Sequence, residues 1–165
     1  MAEEAWLSGK LKGFSPLLMP AAHALTQAVV DLETSARGLS REELLSRPNG
    51  APSVAFHLRH IAGSIDRLLT YSRGGELTEA QFDFLRNETA EDSDLSAAEL
   101  TQKAVDAINV ALAELKTVSA ESLFEERFVG RKKTSDERFR SAFSHRRTYS
   151  TARRTDHHDG ENRKE

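Results

Sequence analysis

Apolar residues recur at intervals of three and four along three long stretches of the chain. Leu17, Leu18, Ala21, Leu25, Ala28, Val29, Leu32 and Ala36 form the first. Val54, Leu58, Ile61, Ile65 and Leu68 form the second, entered through Pro52-Ser53 and left at Gly74-Gly75. Leu100, Ala104, Ile108, Ala111, Leu112 and Leu115 form the third. That spacing keeps one face of a helix apolar, and it predicts long helices over about 15–38, 52–72 and 96–118. Three sites share a further pattern: an apolar residue, Ser or Thr, two residues, Glu or Gln, and an apolar residue. They are Leu39-Ser40-Arg41-Glu42-Glu43-Leu44, Leu77-Thr78-Glu79-Ala80-Gln81-Phe82 and Leu95-Ser96-Ala97-Ala98-Glu99-Leu100. Each reads as a capping box inside a hydrophobic staple, the signature of a helix start. Short helices are therefore expected near 41–47 and 78–90. No alternation of β-branched residues predicts a strand. The pattern is all-α, an up-down helical bundle whose fourth member is missing or non-native.

Composition locates the break. Residues 1–130 hold 12 Lys+Arg and 20 Asp+Glu, a net of −8, whereas residues 131–165 hold 11 and 6, a net of +5. The second segment contains no Leu, Ile, Val, Met or Trp; its larger apolar groups are Phe139, Phe143 and Tyr149. It cannot bury enough surface to offset the entropy of ordering its backbone. The expected organisation is an incomplete helical bundle domain over 1–130 and a basic, aliphatic-poor tail over 131–165, disordered or non-native. The absence of cysteine excludes disulfides, thiolate metal ligands and thiol nucleophiles. The longest uncharged stretch, Gly13 to Val30, is interrupted by Pro16, Pro20, His23 and Gln27 and makes a poor membrane span. With an acidic N-terminus in place of a basic leader, the expectation is a soluble, cytoplasmic protein without a membrane partner.

The segment from Pro52 to Gly74 resembles the second helix of the DinB-like superfamily, most specifically from His57 to Ile65. The preceding helix and the connection from Leu39 to Pro48 are similar too, so the resemblance covers roughly residues 12–130. It implies a four-helix bundle, often dimeric, holding a divalent metal such as Zn²⁺ or Ni²⁺ on three histidines. One of these lies on helix two; the other two form H-x-x-x-H on helix four, commonly followed by Gly-Gln. Members include thiol S-transferases and a mycothiol-dependent isomerase, so a metal-dependent transferase or hydrolase is implied, and a homodimer with it. The ligand position that carries over is His60, in Leu58-Arg59-His60-Ile61-Ala62. The other two have no counterpart. His145, His157 and His158 stand in no such setting, and adjacent His157 and His158 cannot face one direction on a helix.

The abrupt departure suggests a frameshift. With free choice of synonymous codons for Thr134 to Glu165, reading one nucleotide later can spell an amphipathic helix ending in Glu-His-Thr-Gln-Arg-His-Val-Gly-Gln, the family's helix-four signature. Its histidines fall across the Ser144/His145, Thr148/Tyr149 and Ala152/Arg153 codon boundaries.

At 100° per residue, His57 lies about 70° from the apolar stripe of its helix and His60 about 130°. The wheel alone therefore describes two half-exposed polar histidines flanking a core stripe and does not favour His60 over His57; it is the family resemblance that makes His57 the lesser ligand candidate. One imidazole is a poor metal site, since zinc-like ions take three or four protein ligands in a fixed array. Asp66 or a glutamate could add oxygen, but no spacing selects one. The family's metal chemistry, Lewis-acid activation of a thiolate or water, is expected to be impaired, and the chain's own catalysis stays open. His23 reads as a core or edge histidine. A rival reading makes the chain an interaction protein, its basic tail contacting nucleic acid or an acidic partner. Arg131-Lys132-Lys133, Arg146-Arg147 and Arg153-Arg154 alternate with aromatics there, but six acids interrupt them and no motif frames them, so specific nucleic-acid binding is not expected. Phosphate-binding glycine loops, G-x-S-x-G and H-E-x-x-H are absent from the sequence.

Overall fold

A computed structural model describes residues 4–90, 94–129 and 134–137, with Val129 and residues 134–137 described by their backbone. Five α-helices follow in order: α1 (Met19–Ser35), α2 (Arg41–Leu45), α3 (Val54–Ser72), α4 (Glu79–Arg86) and α5 (Ala97–Leu115). All three capping boxes form as the sequence predicts. The Glu43 amide donates to Ser40 Oγ at 3.2 Å while the Ser40 amide donates to Glu43 Oε2 at 2.8 Å. Thr78 with Gln81 starts α4, and Ser96 with Glu99 starts α5, by the same reciprocal pair. Helix α3 begins at Ser53, whose hydroxyl accepts from the Phe56 amide at 3.2 Å.

The apolar stripes meet in two buried clusters. One joins Leu18, Ala21 and Leu25 to Ile65, Ile108 and Leu115, closed below by Leu123. The other joins Leu44, Leu58, Leu100 and Ala104, and Leu32 and Ile61 pack against both. The stapling residues Leu39 and Leu95 lie in the second cluster, so the caps also anchor their helices to the core. Helix α3 packs most extensively against α5, which also receives α1. Val54, a predicted stripe residue, is exposed, although Ser53 and Ala55 on either side of it are buried.

Two features depart from the sequence reading. Strands β1 (Glu126–Val129) and β2 (Thr134–Glu137) pair antiparallel, with Glu126 opposite Glu137 and Val129 opposite Thr134. Short strands of four residues carry too little alternation to register as a period-two pattern. The ribbon is tied to the bundle where Arg127 Nε donates to the Ser72 carbonyl at 3.1 Å, at the end of α3. The described residues past Gly130 are thus a strand, whereas the tail from 138, with its histidines, lies outside the described residues. The second feature is Gly63, buried on α3 where α4 crosses. A Cβ built there would sit 2.5 Å from Phe84 Cε1 and 2.7 Å from Glu88 Oε1. Among the described residues, no helix is long and apolar enough to cross a membrane.

Candidate metal centre

His60 projects from the middle of α3 towards the turn that follows α4. Its Nδ1 lies 2.8 Å from Glu88 Oε2, with the His60 side chain 28% and the Glu88 side chain 5% exposed. An ionised carboxylate only accepts, so Nδ1 must carry the proton and Nε2 of the neutral ring is left with its lone pair. Ser64, one turn on, places its hydroxyl 3.2 Å from Nε2 and accepts from Arg67 Nη2 at 3.3 Å. The same oxygen is 3.5 Å from Nδ1, so it lies beside both ring nitrogens rather than along the Nε2 lone pair. Arg67 is buried too, and its Nη2 lies 2.7 Å from Glu88 Oε1. That contact is an ion pair by distance but is not aligned as a hydrogen bond, since Glu88 Oε1 and Arg67 Nη1 lack directed partners. Phe56 stacks on the other side of the ring, centroids 5.5 Å apart and planes 10° apart. The imidazole is therefore fixed from three directions, by Glu88, Ser64 and Phe56.

His57 behaves differently. It is exposed, touching Phe56 edge-on at 5.5 Å. The desolvation that its neighbours impose even on this exposed ring, and then the neighbouring His60, hold its pKa below the ordinary imidazole value. Helical geometry alone puts His57 nearer the core than His60; the structure reverses that order. The reason is tertiary: the chain after α4 covers the face of α3 that carries His60, and no element among the described residues covers His57 in the same way. His23 is partly buried, as an edge histidine would be, with its Nδ1 unpartnered. Asp66 is already engaged, accepting from Gln81 Nε2 at 2.7 Å.

Glu88, Arg67 and Gly63 escaped the sequence reading. Glu88 is 28 residues from His60, so no local spacing relates them. The one sequence signal was Gly63 itself, a glycine inside a strongly helical pattern, which marks close approach of another element.

Sequence comparison decides the kinship of this helix. The model of the DinB superfamily matches residues 24–146, from within α1 through α5 and the ribbon. The chain belongs to the DinB superfamily. The match includes His60 and ends 16 residues past the composition break at Gly130 (146 − 130). No curated protein matches the chain. In this DinB-superfamily chain, no group of three His, Asp or Glu side chains among the described residues is placed to hold a metal ion. His60 offers one lone pair, on Nε2, and Glu88 is already shared between His60 and Arg67. These residues do not by themselves fit a tightly held ion, which needs three or four donors.

Proposed function

We propose that this chain is a DinB-family divalent-metal-binding protein reduced to one preorganised ligand, His60, and impaired in the chemistry its kinship suggests. The observation that carries the reading is the His60–Glu88 contact. A histidine held through Nδ1 by a buried carboxylate has the arrangement common to metal-ligating imidazoles, in which the second partner fixes the tautomer and frees the other nitrogen. The ion would be Zn²⁺, Ni²⁺ or similar, and the ancestral activity thiol transfer or metal-dependent hydrolysis. The two further histidines implied by the family resemblance would belong after Lys133, where the sequence carries none in the right setting. A shifted reading frame from about residue 134 would account for that loss. The composition break supports it, and the extent of the family match to residue 146 weighs against a shift that early. The coding nucleotide sequence around Lys133 decides that point.

Histidine ¹⁵N spectra during a Zn²⁺ titration test the reading. His60 should show the Nδ1–H tautomer without metal, and its Nε2 should shift at high Zn²⁺ without saturating at one equivalent. An Nε2–H tautomer at neutral pH, or shifts at His57 with His60 unmoved, would contradict it.

A further inference from the structure

Beside the His60 cluster, α3, α4 and the start of α5 enclose a cleft of about 430 Å³, within the range of small-ligand sites, about 300–1,000 Å³. Leu58, Ala62, Phe84, Leu95 and Leu100 make its walls largely apolar. Four charged side chains also line it, and they divide by sign. The acids are committed: Asp83 pairs with Arg86, and Glu88 holds His60 and Arg67. The cations are not. Arg59 spends Nη1 on the Ala90 carbonyl, while its Nη2 is buried without a hydrogen-bond partner among the described residues. Lys103 makes no salt bridge among the described residues, although its charge also acts on Glu99 one turn back.

A buried guanidinium N–H without an acceptor is costly, and an oxyanion beside it removes that cost. Apolar walls select for hydrocarbon behind the charge and penalise a dianion such as phosphate, whose second charge would be desolvated unpaired. We propose that this cleft binds a small amphipathic carboxylate, its oxyanion between Arg59 and Lys103 and its alkyl chain against Leu58, Leu95 and Leu100. The proposal is independent of metal at His60.

Isothermal titration of the full chain with octanoate, in the presence of a chelator, tests it, with 1-octanol as the neutral comparison. Octanoate should bind saturably at one site, and octanol about tenfold more weakly, as for a lost charge-assisted hydrogen bond. Arg59→Met and Lys103→Met should each weaken octanoate by about the same factor. Lys103 is exposed, so its substitution keeps the test decisive even if Arg59→Met fails to fold. Absence of saturable octanoate binding, equal affinity for octanol, or full affinity in Lys103→Met would overturn the proposal.

Discussion

Glu88 is the residue on which the candidate site turns, because one buried carboxylate faces both His60 and Arg67. Removing it leaves a buried guanidinium unpaired, a loss of about 3–5 kcal/mol when one partner of such a pair is deleted. Glu88→Ala should therefore lower the unfolding free energy by about 3 kcal/mol in urea titrations. A loss below about 1 kcal/mol, the level of an exposed pair, would show that Glu88 is not the anchor. Gly63 sets the space for that anchor. Gly63→Ala should cost about 1–3 kcal/mol, the usual range for overpacking, since its Cβ would meet Phe84 and Glu88 well inside contact distance. Thermal unfolding of Gly63→Ala at wild-type temperature would contradict the packing described. His60 could be singled out from sequence through the family resemblance. Its partners could not, because α4 and the following turn bring them from far along the chain, and a helical wheel contains no information about what covers each face.

The helices show the opposite balance. The starts of α2, α4 and α5 were legible, since a capping box is a local hydrogen-bond pattern written in four consecutive positions. Helix α1 has no side-chain cap and begins at Met19, later than the expected start at about residue 15. The ribbon was not legible, being four residues a side. The chemistry of the boxes gives a test that separates them. In α2 and α5 the reciprocal acceptor is Glu43 or Glu99, whose pKa is lowered chiefly by its hydrogen bond from the Ser40 or Ser96 backbone. A folded pKa below the unfolded value, about 4.3 for Glu, makes that cap fully effective above this value. Its contribution is lost as pH falls through the lowered folded pKa. Helix α4 uses Gln81, which does not titrate. On acidification from pH 6 to pH 3, amide protection in the first turns of α2 and α5 should fall, relative to α4. Parallel loss in all three would mean that the carboxylates do not sustain the caps.

At the scale of the whole molecule, three long helices and a ribbon leave apolar side chains facing outward. Trp6 is 60% exposed and Phe128 51%, with Leu7 and Val110 similarly open. Where such side chains join in a contiguous patch they mark an association surface, and the homodimer implied by the family resemblance would cover it. Sedimentation at tens of micromolar should give a mass that rises with concentration, and a compact monomer throughout would contradict this. The composition break at Gly130 was plain in the sequence, because charge and aliphatic content change together there. On the reading proposed above, His60 stands without the two further histidines that the family resemblance implies. Elemental analysis after dialysis tests it most directly, on the chain as it is, on a version read one nucleotide later after Lys133, and on that version with His60→Ala. The first should retain far less than one metal per chain, the second one per chain, and the third should lose most of it, because gathering scattered ligands onto one ion requires ordering that packed helices supply in advance. A full equivalent held by the unaltered chain, and kept when its own His60 is replaced by alanine, would contradict the account.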